Sequence, residues 1–301
     1  MKFKALPLLL LALVFVSPAR AEDKTYRIKL DREDQKGAKT KEVLSGSSSQ
    51  AMTVSVDDKV VNEKTEKLAG KLSAVREVLE VNEHHKATKL KFTIDKLVLQ
   101  KDDEDTTTPL ASGAELLVQR DKDGKISGLV NDKEVDEDVA KLLDILVDLP
   151  KDKEPEMKAD EAFGTDQARK PGSEWALDIG KVFKSMAGEM PFEVDAEASN
   201  GKMAFPEVKT VDGVECCRVQ ADIAFKVKKM KDMPAEMKTK NAAVSVSVQS
   251  LEPVDSALPA FGGTMKLNVD FAGSMTTPEG SAALIKIKVA REKTGDIRPA
   301  K

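Results

Sequence analysis

The chain has 301 residues, a formal net charge of −4, 33% charged residues spread along its length and 41% hydrophobic residues. A mildly acidic chain with no basic stripe is not built to hold nucleic acid, and one Trp, one Tyr and ten Phe leave few stacking platforms for sugars or single strands. The length and apolar fraction exclude a disordered chain and suffice for one large domain or two smaller ones.

Lys2 and Lys4 precede an apolar run from Leu6 to Val16 that is broken only by Pro7, and Ala19-Arg20-Ala21 places small residues where a signal peptidase reads them. The run is too short for a stable bilayer-spanning anchor. Residues 1–21 therefore read as a signal peptide cleaved after Ala21, and the absence of a following Cys disfavours a lipid anchor. Losing Lys2, Lys4 and Arg20 takes the net charge from −4 to −7. The expected compartment is the periplasm or the exterior, and no transmembrane helix is expected in the mature chain.

In the mature chain Tyr26, Ile28 and Leu30 alternate with polar residues, as do Met52, Val54 and Val56, and each group reads as a half-buried strand. Residues 60–80 are ambiguous, because Val61, Leu68, Leu72, Val75 and Leu79 also fit helical spacing. They are read here as a polar connection followed by a strand. Residues 75–82 and 87–100 flank Asn82-Glu83-His84-His85-Lys86 as a hairpin. A second hairpin is expected around Asp123-Gly124.

A helix is expected from about Glu134, with Val139, Leu142, Leu143, Leu146 and Leu149 on one stripe and Pro150 ending it. Residues 151–174, with Pro155, Gly164, Pro171 and Gly172, read as a surface connection between a first half (22–150) and a second half (175–301). A second helix is expected from about Asp178, its N-cap, to Ala187, with Ile179, Val182, Phe183 and Met186 on one face. Period-2 segments follow around Phe192, Cys217–Val227, Val244–Val248, Met265–Phe271 and Ile285–Val289. No βαβ rhythm appears.

The order of strand, Asp121–Gly128 hairpin, apolar helix, acidic loop and Lys170-Pro171-Gly172-Ser173-Glu174-Trp175 resembles an uncharacterised family of exported bacterial β-proteins, in which a Gly-x-x-Trp element opens the second half. More loosely, the arrangement is similar to the half-barrels of periplasmic lipoprotein carriers. Because the helices are apolar on one stripe only and the strands on one face only, the two surfaces must cover each other, and the expected fold is mainly β: a curved antiparallel sheet or open barrel in two similar halves, with two short amphipathic helices packed on it.

The motifs that might carry chemistry are weak. With Gly124 at the sixth position of a calcium loop, the first is Gln119 and the twelfth Val130, so two essential ligands are missing and a turn is the better reading. His84 and His85 lack further ligands at metal spacing, and no nucleophile motif is present. Asp102-Asp103-Glu104-Asp105 reads as a solvated acidic loop and Trp175 as a packing anchor. Cys216-Cys217 is the one candidate redox pair; by parity Cys217 should be buried and Cys216 should lie on the wetter face.

No catalytic, metal or cofactor site is expected. The expected function is non-enzymatic binding in the bacterial envelope, with an apolar or lipid-like ligand in a groove lined by Leu142, Leu143, Leu146, Phe183 and Met186. The alternatives are a structural or protein-binding envelope component, and a hydrolase-type enzyme with an unrecognised site. An envelope protein or a lipid-like ligand is the expected partner.

Overall fold

The computed structural model describes residues 24–121, 124–150, 157–186, 192–230, 236–277 and 280–300. The expected signal peptide, Asp123 and Ala187 lie outside these. The fold is mainly β: twelve antiparallel strands form one curved, unclosed sheet, accompanied by three short helices.

The first half contributes β1 (Lys39–Val56), β2 (Lys59–Val81), β3 (Ala87–Lys101), β4 (Glu115–Arg120), β5 (Ile126–Val130) and β6 (Lys133–Glu134), followed by α1 (Glu137–Leu146). After α2 (Ala159–Ala162) come β7 (Ser173–Ala176), α3 (Ile179–Met186), β8 (Phe192–Val211), β9 (Val214–Met230), β10 (Lys238–Pro253), β11 (Gly262–Thr276) and β12 (Ala282–Pro299). The order across the sheet is β6-β5-β4-β3-β2-β1-β12-β11-β10-β9-β8-β7, so the two halves join where β1 pairs with β12. Three of the hairpins close with two-residue turns, Asp57-Asp58, Asn131-Asp132 and Asp212-Gly213. Both residues in each turn have positive φ, which suits the right-handed twist of the strands.

One face of the sheet is apolar and carries two cores. The first packs Leu72, Phe92, Ile94, Leu97 and Leu116 against α1; the second gathers Val182, Phe205, Val219, Phe225 and Phe271 beneath α3. Asp136 caps α1 by accepting from the Val139 amide at 2.8 Å, and Val139, Leu142, Leu143 and Leu146 are all buried. The helix lies close because glycines sit beneath it. A Cβ on Gly46, Gly70 or Gly128 would collide with Ile145, Leu142 or Leu143, respectively.

The sheet curls toward this face. Arg32 bonds Glu252 of β10, and Asp34, two residues later, bonds Arg76 of β2. Leu90 and Phe92 of β3 and Val248 of β10, five places apart in the sheet, line one cleft, so the two flanks face each other over the apolar side.

Several sequence expectations need correction. Residues 59–81 form one strand whose buried residues, Leu72, Ala74 and Val78, keep strict alternation; the helix-like spacing arises from counting with them Val61, which is exposed, and Val75 and Leu79, which stand on the opposite parity. Tyr26, Ile28 and Leu30 do not lie in a strand. Tyr26 makes an isolated bridge to Arg169, and the amides of Leu30 and Asp31 bond the Asp160 side chain. The first helix begins at Glu137 and ends before Leu149, which is buried in the loop beyond it. A helix inside 151–174, α2, was not expected. Cys216 is as buried as Cys217, because the loop after β10 folds back on this corner: the Val254 amide bonds Glu215 and the Phe261 amide bonds Leu251.

Replacing Gly70 by Ala should lower stability by about 1–3 kcal/mol, the usual cost of overpacking, because the new Cβ meets both Leu142 and the Val98 carbonyl. In Gly180→Ala the Cβ meets only the edge of Asp178, so this change should leave stability equal or higher. The urea midpoint should fall for Gly70→Ala and hold or rise for Gly180→Ala.

Candidate functional site

Between the two cores lies a cleft of about 370 Å³. Leu90, Phe92, Leu146 and Val147 form one wall, Val248 and Met265 the other, and Leu44 with the Gly295 backbone the floor. Its sides thus come from β3, α1, β10 and β11, which meet only because the sheet is curled.

Glycines shape the far wall. A Cβ on Gly262 would strike the Gly295 carbonyl, and one on Gly263 the Gln249 carbonyl, so β11 can begin here only with glycine. The ladder row Ser250, Gly263, Gly295, Leu44 crosses the cleft floor.

Away from this end the apolar face continues along β1, β12 and β11 through Met52, Val54, Ile285, Ile287, Val289 and Leu267, all half-buried. α1 packs on the first half and reaches β12, and α3 packs on β8; among the described residues neither contacts β10 or β11. Met265, in the cleft wall, is 39% exposed. The middle of the sheet is therefore a half-buried trough of mixed lining: Leu267, Val269 and Ile287 pack against the second core, in which Val244, Val246 and Phe271 are buried, and Ser48, Gln50, Arg291 and Lys293 share the face.

The polar residues of the cleft gather at one end. Glu42 is buried, as is Thr40, whose hydroxyl donates to Glu42 Oε1 at 2.8 Å; Arg76 Nε stands 3.8 Å from the same oxygen. Arg76 also donates to Asp34 at 3.0 Å, and Asp34 accepts from the Ala87 amide. Lys293, on the floor, pairs with the exposed Asp148. Burial pushes the Glu42 carboxyl above its ordinary range, against the pull of Arg76, Thr40 and Lys293.

Residues 24–36 form a strap across this end of the cleft. At one side Lys29 Nζ and the amides of Leu30 and Asp31 all donate to Asp160. Burial raises the Asp160 carboxyl, but these three donors outweigh it and hold the group below its usual value. In the middle, Arg32 donates to Glu252 Oε2 at 3.0 Å and to the carbonyls of Pro253, Asp255 and Leu258. Arg32 and Glu252 are 9% and 7% exposed, so this ion pair is buried and saturated with hydrogen bonds. At the far side Lys86 grips Asp31 and the Arg32 carbonyl, beside the Asp34 contacts.

Of the residues expected to line a groove, Leu146 borders this cleft. Leu142 and Leu143 are fully buried between α1 and the sheet, and Phe183 and Met186 pack beside the second core. The cysteines are unbonded, and burial raises both thiols, that of Cys217 to about 12. At such values little thiolate forms near neutrality. His84 and His85 occupy an exposed turn, with His85 at positive φ. Trp175 is an anchor: its Nε1 donates to the Phe163 carbonyl and Arg169 stacks on its ring. Among the described residues no group of His, Cys, Asp and Glu is arranged to hold a metal, and no helix is long and apolar enough to cross a membrane.

Sequence reasoning missed Glu42, Arg76 and Lys293. The available signal was faint: Thr40 and Glu42 share the parity of Leu44, so two polar residues fall at core positions of a strand.

The chain matches no protein-family model and no curated protein. Among solved structures it is similar to one of lipovitellin, solved for its lipid–protein interactions, with a TM-score of 0.36 and 9% identity over 89% of this chain and 26% of that one. It is also similar to DynF from the dynemicin biosynthesis pathway of Micromonospora chersina, with a TM-score of 0.17 and 10% identity over 92% of both chains. Neither likeness is close enough to bear on fold or function.

Removing Glu252 should be costly. Glu252→Ala leaves the Arg32 guanidinium enclosed without its counter-ion, and a loss of about 3–5 kcal/mol is expected. Limited proteolysis should then cut within 24–36 before the rest of the chain.

Glu42 should tie stability to pH. Its folded-state pKa is raised, so the native state holds the proton more tightly than the unfolded chain. The resulting stability is fully present below the unfolded value and is lost as pH rises through the folded one. Relative to Glu42→Gln, which does not titrate, the native protein should therefore lose stability as pH climbs from about 4.3 toward neutrality. Parallel melts across that range read the difference.

Proposed function

We propose that this is an exported, non-enzymatic binding protein of the bacterial envelope that holds an apolar or lipid-like chain along the inside of its curved sheet. The observation that carries this reading is the uncovered middle of the apolar face. Met52, Ile287, Val289, Leu267 and Met265 extend the apolar face beyond the two cores, with Ser48, Gln50, Arg291 and Lys293 among them, and they remain half-buried or exposed where α1 and α3 stop short. Contiguous exposed apolar surface is costly to leave bare and is the usual mark of a binding groove.

The cleft's form supports the reading. Its walls are apolar, its polar groups are gathered at one end, and its volume falls within the range of small-molecule sites. Neither histidine and neither cysteine lines it, so the groups most often used for acid, base or thiol chemistry stand elsewhere. Export is supported by the charged start, apolar run and Ala-x-Ala of residues 1–21.

The test is binding of a fluorescent apolar probe such as anilinonaphthalene sulfonate to the mature chain. The native protein should bind it saturably, and Met265→Glu combined with Leu267→Gln should weaken binding at least about tenfold while the melt stays close to native. Absence of saturable binding, or binding indifferent to these substitutions, would remove the groove as a ligand site.

A further inference from the structure

The closed end of the cleft contains one polar atom that the fold leaves unused. Thr40 and Arg76 both address Glu42 Oε1. No described residue bonds Oε2. Yet every fully enclosed side-chain nitrogen and oxygen among the described residues has a hydrogen-bond partner. Oε2 therefore retains access to open space, and the space that Glu42 lines is the cleft.

Displacing the water that Oε2 can reach costs free energy unless the occupant replaces its hydrogen bond. Here the cost falls where the trough ends against the strap. Arg76 and Lys293 flank the position, with Asp34 behind Arg76 and Asp148 behind Lys293.

We infer that the ligand is a single-chain amphiphile with a hydroxyl head, its chain in the trough and its hydroxyl hydrogen-bonded to Glu42 Oε2. This rests on the binding role proposed above and adds the chemistry of the head. An alkylammonium head would be set against Arg76 and Lys293, and a carboxylate head against Glu42 and Asp148. A hydroxyl brings no charge. It donates to Glu42 when the carboxyl is ionised and accepts from it when protonated, so it fits the site in either state. The strap blocks the chain from leaving at this end, which sets the direction: head toward the strap, tail toward the β1–β2 hairpin.

Displacement of anilinonaphthalene sulfonate from the mature chain tests the head separately from the groove. The competitors share one chain: dodecanol, its methyl ether, dodecanoate and dodecylammonium. Measured at a pH alkaline enough to ionise Glu42, so that the ether finds no proton to accept, dodecanol should displace the probe about tenfold better than the ether, the worth of one hydrogen bond to a buried group, and better than either ion. Glu42→Leu should erase the preference for alcohol over ether while leaving the affinity for the ether intact, and Glu42→Gln, which keeps an acceptor oxygen, should retain part of it. The melt of each variant, read alongside, confirms that it is folded. Equal displacement by alcohol and ether, stronger displacement by either ion, or a preference that survives in Glu42→Leu would overturn the inference while leaving the groove standing. Failure of the native chain to bind the probe at all would instead overturn the groove.

Discussion

Burying one face of a twelve-stranded sheet takes more cover than three short helices can supply, and the chain meets the shortfall by bending the sheet over itself. α1 covers the flank from β1 to β5, and α3 with the strap covers the flank around β8 and β9. The strands between them have only each other and the curvature. The cleft, the half-buried trough and the facing of β3 and β10 across the cleft accompany that deficit. Glycines make the solution practicable. Those at 46, 70 and 128 let α1 sit against the sheet, and those at 262, 263 and 295 let β11 and β12 approach their neighbours where the curl is tightest.

Electrostatics then fixes the geometry that hydrophobic burial leaves open. The hydrophobic effect is indifferent to direction, whereas the strap's contacts are not. Asp160, Glu252 and Asp34 each accept from a donor on or beside the strap, and together they set the span between β10 and β2. Because Arg76 serves both Asp34 and Glu42, the fastening of the strap and the polar end of the cleft belong to one network. A change at Asp34 should be felt at Glu42 without touching the cleft wall.

The period-2 strands of the second half and the apolar stripes of the two main helices were legible in the sequence, because each depends on local alternation that a neighbouring strand or sheet merely completes. The 59–81 strand was misread, since Val75 and Leu79 stand on the parity opposite to its buried Leu72, Ala74 and Val78. Cys216 was misplaced for another reason: its face is covered by a loop forty residues onward, and burial from a distant segment leaves no local trace. The strap is the extreme case. Arg32 and Glu252 are 220 positions apart, and nothing near either predicts the other. Of the site itself, Leu146 was legible from its stripe, while Glu42, Arg76 and Lys293 became visible only once β1 and β12 were in register.

An unclosed sheet has two free margins, and here they are the shortest strands of all: β6 offers two residues, Lys133 and Glu134, and β7 four. Beyond β7 the neighbouring strand β8 is interrupted by a register shift between Asp195 and Asn200, so it too lacks a long straight run of backbone to offer. Short, charged or broken margins are poor templates for a second molecule's strand. The sheet can thus remain unclosed without inviting end-to-end polymerisation into fibres.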